Sequence, residues 1–511
     1  MPQELPLVAT ARAHGERAAI IAPEGRFSYR DLLEASACAA SCLLGDRTDL
    51  AEARVAFLAP SGFHHVATQW GIWRAGGVAV PLAPSHPTPE LEYVIRDADA
   101  EVVVVHPDLA ERVQDLGEVR SRRLLTTTAV LARSGGPPDR ATAAVSEERR
   151  AMMVYTSGTT GTPKGVVTTH ANIRAQVTTL VTAWEWTAGD HILLVLPLHH
   201  VHGIINVLTC ALWAGACCEM LPHAGRFDAD GVWSRIAGGD LTLFMAVPTI
   251  YARLIAAWEA APPERRRALS AGCARMRLMV SGSAALPVRT LARWQEVSGH
   301  VLLERYGMTE IGMALSNPLH GERRPGFVGT PLPGVEVRLA DDAGRPVPPG
   351  TPGEIEVRGP GVFLEYWRRP EATAAAFRDG WFRTGDVAVV EGGAYRILGR
   401  TSVDIIKTGG YKVSALEIEE VLRTHPAVAE CAVVGVEDPE WGERICAAVE
   451  PRADAELTLA ALQSWAREQL APYKLPRTLR CVTALPRNAM GKVTKPEVVK
   501  LFRASSEEQV S

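Results

Sequence analysis

The sequence lacks the features that would assign the protein to a membrane, to nucleic acid or to a secretory route. Its longest apolar stretch, Ile204 to Cys218, contains Asn206 and Thr209 and is too short to cross a bilayer. Acidic and basic residues nearly balance, 58 against 54, so no basic excess attracts nucleic acid or anionic lipid. The first residues show neither the basic nor the apolar segment of a secretory signal. We therefore expect no membrane partner and no nucleic-acid partner.

The cysteine pattern also excludes a disulfide or zinc framework. The nine cysteines are an odd number, no C-x-x-C pair occurs, and most of them lie in apolar runs. Such thiols are typical of small buried side chains in a reducing compartment. The pattern predicts a cytoplasmic protein and leaves the oligomeric state undetermined.

The first three hundred residues alternate between apolar runs and amphipathic stretches. Arg54 to Leu58 is typical of a strand, and His64 to Arg74 is typical of a helix. This alternation predicts α/β layers in which helices cover sheets. From about Gly329 short strands are interrupted by Pro and Gly, which predicts a small β-rich subdomain.

The sequence pattern changes again at Gly399-Arg400, where a compact alternation of predicted helices and strands begins. We predict an α/β fold with a large N-terminal domain over residues 1–399 and a small α+β C-terminal domain over residues 400–511. The large domain would contain two α/β subdomains and the β-rich subdomain.

The most informative segment is Tyr155 to Gly165, which follows a short apolar run. It places three glycines, five small hydroxyl side chains and one lysine within a turn. Glycines let backbone N–H groups converge on an anion, hydroxyls add donors, and the lysine supplies a mobile positive charge. The combination indicates a polyphosphate-binding loop, although the G-x-x-x-x-G-K-[ST] spacing of a Walker A loop is absent. A flexible hydroxyl-rich linker is the alternative.

Four further segments carry side chains that suit nucleotide chemistry. Glu304 to Glu310 offers a ring, a glycine, a hydroxyl and a carboxylate for a base, a phosphate and Mg²⁺, although alone it also suits a helix start. Asp386 could accept both hydroxyls of a ribose, or form an Asx-turn. Arg400, where the domains join, could pair with a phosphate or a carboxylate. Lys492 lies in a turn and, taken alone, is an ordinary solvated lysine.

Together these segments resemble the adenylate-forming superfamily of acyl-CoA synthetases, luciferases and adenylation domains. They occur in the family's order from Tyr155 to Lys492, so the resemblance covers essentially the whole chain. Within the family the sequence is most similar to malonyl-CoA synthetases, in the segments Pro197 to Gly203, Arg277 to Leu286 and Glu304 to Glu310.

The resemblance implies a two-step reaction with ATP, Mg²⁺ and coenzyme A. A carboxylate attacks the α-phosphate of ATP, giving an acyl-adenylate and pyrophosphate, and the thiol of coenzyme A then displaces AMP. The C-terminal domain is expected to be mobile. It docks over the site for the first step and rotates to open a pantetheine tunnel for the second.

The resemblance also assigns roles to residues of this sequence. The β- and γ-phosphates are expected to contact Thr156, Ser157, Gly158, Thr159, Thr160, Gly161 and Lys164. The adenine is expected to lie among Ser283, Ala284, Glu304, Arg305, Tyr306, Gly307 and Met308. Asp386 would bind the ribose with help from Arg400, and Thr309 with Glu310 would serve the α-phosphate and Mg²⁺. Thr160 would be a second metal ligand, and Lys492 would be the catalytic lysine.

The thiol step is assigned to Lys407 to Tyr411, which resembles the glycine-bearing loop that lines the family's tunnel. Contacts with coenzyme A are therefore expected from Lys407, Gly409, Gly410 and Tyr411. The sequence departs from the family's pattern between Arg400 and Lys407, where it has one extra residue. The pivot of the domain rotation is thus confined only to residues 402–404.

Selection of the acid is assigned to Arg277, at the head of the apolar strand Leu278 to Val280. Alternation puts Arg277, Met279 and Ser281 on one face, and in the family this strand borders the acyl pocket. A guanidinium there is costly unless it meets an anion, which the second carboxylate of malonate supplies. The alternative is an arginine that only caps the strand at the surface.

The other acid-binding candidates are His200, His202, Ser281 and Met308. His200 matches the family's gating position and is also expected to act in catalysis, while the alternative for both histidines is an ordinary loop role. Methylmalonate could enter the same pocket, because one methyl group changes binding by only about 1–3 kcal/mol.

Other functions remain possible on the sequence alone. Another short-chain acyl-CoA synthetase, or an adenylation enzyme that loads a carrier-protein thiol, would share every ATP-binding residue. A regulatory ATP-binding module without chemistry would be expected to lack Lys492 or Glu310, and both are present.

Overall fold

The computed structural model describes residues 4–132, 143–156, 163–222, 227–409, 411–453, 455–487 and 492–507. In this part of the chain the strands form four sheets. Within the same ranges, none of the helices has the length and apolar character that a bilayer span requires. The predicted combination of α/β layers, a β-rich subdomain and a small C-terminal α+β unit is confirmed.

The first sheet carries the two strands that flank the phosphate loop. Its described strands, in spatial order, are Glu365–Tyr366, Lys164–Thr169, Arg150–Thr156, Val78–Pro81, Arg54–Leu58, Val102–Val105 and Arg123–Thr126. The five strands from Arg150–Thr156 to Arg123–Thr126 in this order pair in parallel. The strand Lys164–Thr169 pairs antiparallel with Arg150–Thr156. The four valines of Val102–Val105 are all buried, as expected for a parallel strand covered on both faces.

The second sheet holds most of the remaining site segments. Its described strands, in spatial order, are Thr330–Pro331, Gly312–Ser316, Leu303–Met308, Leu278–Ser281, Leu243–Ala246, His191–Leu194, Cys217–Met220, Ala18–Ala22 and Gly25–Ser28. The six strands from Leu303–Met308 to Ala18–Ala22 are parallel. Their carboxyl ends therefore meet at one edge, where open α/β sheets bind ligands.

Helices fill the space between the two sheets and cover their outer faces. The α-helices of the large domain are Pro6–Arg12, Tyr29–Leu44, Phe63–Arg74, Thr88–Asp97, Gly117–Arg120, Thr127–Leu131, His170–Ala183, Cys210–Ala214, Ala229–Ala237, Pro248–Ala260, Pro263–Cys273, Val288–Ser298 and Pro370–Ala376. A 3₁₀ helix spans Pro107–Arg112 and a π-helix spans His202–Thr209. Ser28 begins Tyr29–Leu44 with a capping box, since its hydroxyl accepts from the Asp31 N–H and the Asp31 carboxylate accepts from its backbone N–H.

One hydrophobic core joins the facing sides of the two sheets. It contains Phe57 of the first sheet, Val280 of the second, and Trp70 and Leu43 from the helices between them. Separate clusters lie on the outer faces. Val103 belongs to the outer cluster of the first sheet and Met279 to that of the second. Residues that alternate along a strand therefore face different layers.

The third and fourth sheets form the β-rich subdomain and the C-terminal unit. The third sheet contains Glu336–Ala340, Gly353–Arg358, Trp381–Glu391, Phe377–Arg378 and Ala394–Arg400, all antiparallel. The fourth contains Tyr411–Ser414, Ile405–Thr408, Gly442–Pro451, Val428–Asp438 and Thr478–Cys481. Its helices are Ala415–Arg423, Leu459–Ala466 and Lys495–Glu507, with a 3₁₀ turn at Pro472–Lys474. Residues 401–404 form the connection between the two sheets.

Candidate active site

Two neighbouring strands bring the first group of site residues to the carboxyl edge of the second sheet. Leu278–Ser281 pairs in parallel with Leu303–Met308, and Ser281 lies opposite Glu304. The segments that follow each strand therefore lie side by side. The second turns back as an antiparallel hairpin with Gly312–Ser316, which excludes a helix start at Thr309 and Glu310. Gly307 is required there, because a Cβ atom would lie 2.0 Å from the carbonyl oxygen of Gly312.

Asp386 stands at the corner where the third sheet meets this hairpin. Its Oδ2 accepts a hydrogen bond of 2.6 Å from the Tyr306 hydroxyl, and its Oδ1 accepts one of 3.0 Å from Arg400 Nε. Burial raises the pKa of Asp386, while Arg400 and the Tyr306 hydrogen bond act in the opposite direction. The structure thus brings together Asp386, Tyr306 and Arg400, three of the residues assigned to the nucleoside.

The phosphate loop connects two paired strands of the first sheet. Thr156 ends one strand, Lys164 begins the next, and the two residues lie opposite each other in register. The Thr156 hydroxyl is 3.5 Å from the Lys164 carbonyl oxygen. The intervening assignments, Ser157, Gly158, Thr159, Thr160 and Gly161, lie outside the described residues.

Glu310 is linked to Lys164 through a tyrosine that sequence reasoning missed. The Tyr366 hydroxyl donates a hydrogen bond of 2.8 Å to Glu310 Oε1, and the Lys164 ammonium lies 4.9 Å from the centre of the Tyr366 ring. Burial raises the pKa of Glu310, and the Tyr366 hydrogen bond and the charges of Arg400 and Lys164 oppose that shift. No sequence signal identified Tyr366, because it lies in a two-residue strand that contacts Glu310 only through the fold.

Lys492 of the C-terminal unit reaches into this site. Its Nζ donates a hydrogen bond of 2.5 Å to the backbone carbonyl oxygen of Ser283. Burial, followed by the nearby charges of Arg400 and Arg305, lowers the pKa of Lys492 to about 8. A second contact joins the units, since Glu420 Oε1 accepts a hydrogen bond of 3.0 Å from the Val288 N–H. The C-terminal unit is therefore docked with its lysine beside the segments assigned to ATP.

Arg305, which the resemblance assigns next to adenine, lies beside Lys492. A Cβ atom on Gly282 would be 2.6 Å from the guanidinium carbon of Arg305, so its side chain packs against Gly282. Its Nη2 is 3.4 Å from the Ser283 hydroxyl, and its buried Nε has no hydrogen-bond partner within the described ranges. Burial lowers the pKa of Arg305 to about 9. No carboxylate among the described residues pairs with this guanidinium.

Two histidines and Ser283 complete the polar lining. His202 Nδ1 is hydrogen-bonded to the Ser283 hydroxyl at 3.1 Å, and Ser283 has a φ of 68°, which is uncommon for a residue with a side chain. Burial lowers the pKa of His202 well below its usual value and that of His200 to about 4, with Lys492 contributing to both shifts. Both imidazoles are therefore neutral at pH 7. The Ser281 hydroxyl is buried without a described partner.

The structure corrects the assignment of Arg277. Its guanidinium forms two hydrogen bonds of 2.7 Å with Asp190 and one of 2.9 Å with the Trp184 carbonyl oxygen. Arg277 precedes the strand Leu278–Ser281, whereas the site follows it, about 13 Å away at 3.3 Å per residue. Met279, which shares a strand face with Arg277, packs in the outer helical cluster, so this face lies away from the core between the two sheets. Asp190 and Arg277 form a structural ion pair.

The loop assigned to coenzyme A is outside the ATP site in this arrangement. Lys407 and Gly409 are exposed, and Tyr411 is 53% exposed and stacks on Tyr473 with 4.3 Å between ring centres. The Gly409 N–H donates to the Trp441 carbonyl oxygen at 2.8 Å. Gly410 lies outside the described residues. The remaining predicted contacts are Ala284, Met308 and Thr309, which belong to the two segments at the carboxyl edge of the second sheet. Ala284 is exposed, and Met308 and Thr309 are half-buried.

Residues 7–367 match the family of AMP-binding enzymes, and residues 417–492 match the AMP-binding enzyme C-terminal domain. The chain belongs to the AMP-binding enzyme family. Among members of this family, the mitochondrial malonate–CoA ligase of Mus musculus is 47% identical over 98% of this chain and 91% of its own length.

Two solved structures of AMP-binding enzymes are also similar to this chain. ATP-bound MatB from Rhodopseudomonas palustris has a TM-score of 0.88 and 35% identity, covering 98% of this chain and 99% of its own. A malonyl-CoA ligase in a ternary product complex with methylmalonyl-CoA and AMP has a TM-score of 0.67 and 38% identity, covering 95% and 100%.

Proposed function

We propose that the protein is an ATP-dependent malonate–CoA ligase, which forms malonyl-CoA, AMP and pyrophosphate. The observation that carries the choice of acid is Arg305, a buried guanidinium beside Lys492 with no described carboxylate partner. Such a cation is unfavourable until an anion reaches it. The second carboxylate of a dicarboxylic acid is such an anion, and two relatives that are 46% and 47% identical over 98% of this chain are named as malonate–CoA ligases.

In the first step Arg305 and Lys492 hold the two ends of malonate. Arg305 pairs with the unreactive carboxylate, while the neighbouring Ser283 and neutral His202 offer further hydrogen-bonding groups. Lys492 then contacts both the attacking carboxylate and the α-phosphate oxygens as the new P–O bond forms and pyrophosphate leaves. Its ammonium neutralises charge at that point, so catalysis consists of positioning and electrostatic stabilisation.

The nucleotide is held by residues from three sheets. Tyr306 and the backbone of 282–284 border the adenine, and Asp386 accepts from the ribose hydroxyls while Arg400 holds its carboxylate. Lys164 and the loop before it bind the β- and γ-phosphates. His200, close enough to Lys492 for their charges to interact, closes the acyl side of the site.

A magnesium ion fits the donor chemistry at Glu310. Glu310 is only 5% exposed and Tyr366 donates to its Oε1, so Oε2 would be the oxygen left for a cation. Hard oxygen ligands of this kind are those that Mg²⁺ prefers. When bound, the ion neutralises phosphate charge. Thr309, next to Glu310, adds a hydroxyl for the α-phosphate.

The second step requires a different face of the C-terminal unit. Lys492 occupies the site in the docked arrangement, whereas Lys407, Gly409 and Tyr411 are exposed. Rotation about residues 402–404 withdraws the lysine and brings this loop towards the adenylate. The thiol of coenzyme A then attacks the acyl carbon, loses its proton, and AMP leaves.

The proposal also includes a second acid and a cellular location. Methylmalonate is a second acid that the same two cations can hold, since its extra methyl group changes binding by only about 1–3 kcal/mol. The cytoplasmic location stays a prediction; the described cysteines form no disulfide, while several relatives are named as mitochondrial.

The test is pyrophosphate release with acetate, propionate, malonate, methylmalonate and succinate, with and without coenzyme A. We expect the highest kcat/KM with malonate, and malonyl-CoA as the product identified by mass spectrometry. A preference for acetate would contradict the role of Arg305 while leaving the ligase class intact. Thioester formation on a carrier-protein thiol but not on coenzyme A would instead identify a carrier-loading enzyme.

A further inference from the structure

We propose that Tyr366 is a positioning residue for the adenylation step, which fixes the Glu310 carboxylate towards the metal–nucleotide complex and separates it from Lys164. The inference rests on the proposed function, because it assigns Glu310 and Lys164 to the metal and the phosphates. Tyr366 itself contacts neither the acid nor coenzyme A in this role. Its effect is exerted through the two side chains that it touches.

Contacts of its backbone and of its ring hold Tyr366 in one orientation. The strand Glu365–Tyr366 pairs antiparallel with Lys164–Thr169, and Tyr366 lies opposite Val166. Its N–H donates a 3.0 Å hydrogen bond to the Thr373 hydroxyl. Its ring packs edge-on against Phe363 with 4.7 Å between ring centres, and the residue is only 8% exposed. A side chain packed in this way has little rotamer freedom.

The hydroxyl of Tyr366 orients Glu310. Its hydrogen bond of 2.8 Å ends on Oε1, in a site where Glu310 is buried and its carboxylate is poorly solvated. A donated hydrogen bond favours the ionised carboxylate, which is the form that binds a cation. It also fixes the rotation of the group, as partners of metal ligands commonly do. Without the hydroxyl, Glu310 would keep its position in the chain but lose its orientation.

The ring of Tyr366 separates Glu310 from Lys164. The ammonium of Lys164 lies 4.9 Å from the ring centre, a cation–π distance. Although Lys164 and Glu310 are close enough for their charges to interact, no ion pair between them occurs in the described structure. A direct pair would occupy the carboxylate needed by the metal and the ammonium needed by the phosphates. The tyrosine therefore prevents two groups of opposite charge from neutralising each other.

Two substitutions separate the two effects. Tyr366→Phe removes only the hydroxyl and keeps the ring over which Lys164 lies. Tyr366→Leu removes the ring as well, so Lys164 can approach Glu310. Tyr395→Phe is the matched control, because Tyr395 belongs to the same hydrophobic cluster and its hydroxyl donates to a backbone oxygen, that of Val337, at 3.2 Å.

The first measurement is pyrophosphate release against Mg²⁺ concentration, at fixed ATP and saturating malonate. We expect Tyr366→Phe to raise the Mg²⁺ concentration for half-maximal activity by about tenfold, in the range known for partners of metal ligands. The KM for malonate, measured separately at saturating Mg²⁺, should remain unchanged, and Tyr395→Phe should match the wild type. Equal Mg²⁺ profiles for Tyr366→Phe and wild type would overturn the proposal and leave Tyr366 as a core residue.

The second measurement is calorimetric binding of ATP with and without Mg²⁺, in the absence of any acid. We expect Tyr366→Phe to weaken binding in the presence of Mg²⁺ by a larger factor than binding of ATP alone. Tyr366→Leu should also weaken binding of ATP alone, because Lys164 is diverted to Glu310. This test needs no turnover, so it remains decisive even if the wild type activates an acid other than malonate. Equal losses with and without Mg²⁺ would contradict the role in metal positioning.

Discussion

Positively charged side chains have opposite surroundings at the two edges of the second sheet. At the amino edge, Arg277 is paired with Asp190 at 2.7 Å, and Arg235 is paired with Glu219 at 2.7 Å and Asp240 at 3.0 Å. At the carboxyl edge, the buried Arg305 lies beside the half-buried Lys492, and the pKa of each is lowered, to about 9 and about 8. Both edges are built from the same parallel strands.

The difference distinguishes cations that stabilise the fold from cations that bind a substrate. A cation paired with a carboxylate contributes to holding neighbouring strands together, and no ligand is needed to complete it. A buried cation whose charged form is disfavoured costs folding energy, which the binding of an anion recovers. The carboxyl edge is therefore the one that selects a substrate with two negative charges. This comparison can be tested by removing one cation at a time.

Substitution of Arg305 should have the largest effect. Arg305→Met keeps an apolar side chain of similar length and removes the partner of the second carboxylate. We expect kcat/KM for malonate to fall by an amount that corresponds to a loss of about 3 kcal/mol or more of transition-state stabilisation. The reason is that the second carboxylate of malonate would be buried without a charged partner. Pyrophosphate release across substrate concentrations measures this quantity.

Propionate is the matched control substrate for Arg305→Met, since a methyl group replaces its second carboxylate. We expect its kcat/KM to remain unchanged or to rise, because the pocket is now uncharged. Binding of ATP, measured by calorimetry, should also remain unchanged. An equal loss with malonate and propionate would show that Arg305 supports the general architecture of the site and does not select the acid.

Substitution of Arg277 should reverse this pattern. Arg277→Met leaves Asp190 buried, with only its contacts to Thr187 and Thr242, so the free energy of unfolding should fall by about 2 kcal/mol. The figure is modest because the Arg277 side chain is 30% exposed. Urea unfolding measures the loss. The kcat/KM for malonate of the folded variant should equal that of the wild type, and a selective loss with malonate would restore Arg277 to the acyl pocket.

The local part of the fold was predictable from sequence. The pattern of Ala415 to Arg423 indicates a helix that the structure contains, because its Ser414 N-cap and apolar spacing are local signals. The strand that precedes the phosphate loop was predictable for the same reason. In each case the deciding interactions lie within a few residues of one another.

The orientation of Arg277 was not predictable from its own strand. Alternation shows which residues share a face, but not which layer that face meets or at which edge the site lies. The partner that decides the matter, Asp190, is 87 residues away in the sequence. Arg305 was likewise assigned to the adenine because its neighbour Tyr306 matches the family there. Only the fold shows that the Arg305 side chain packs against Gly282 while the Tyr306 hydroxyl contacts Asp386.

The smallest expected effect is a pH dependence of adenylation at the carboxyl edge. Lys492 acts as an ammonium, and its pKa is lowered to about 8 by burial and by Arg400 and Arg305. The active form therefore predominates below about pH 8 and is lost above it. We expect kcat/KM for malonate to fall by about tenfold for each further pH unit, since this parameter reports the free enzyme. In the complex, two bound anions raise the pKa of the lysine, so kcat should persist to higher pH.

A second group could imitate this limb, because burial also raises the pKa of Glu304 to about 8. Lys492→Arg separates the two groups, since a guanidinium stays protonated throughout the range. If the lysine is responsible, the limb should disappear in this variant even though the rate is lower. If Glu304 is responsible, the limb should remain at the same pH. The amino edge offers the complementary control: Arg277→Met should leave the limb in place, because no charge beside Lys492 has changed.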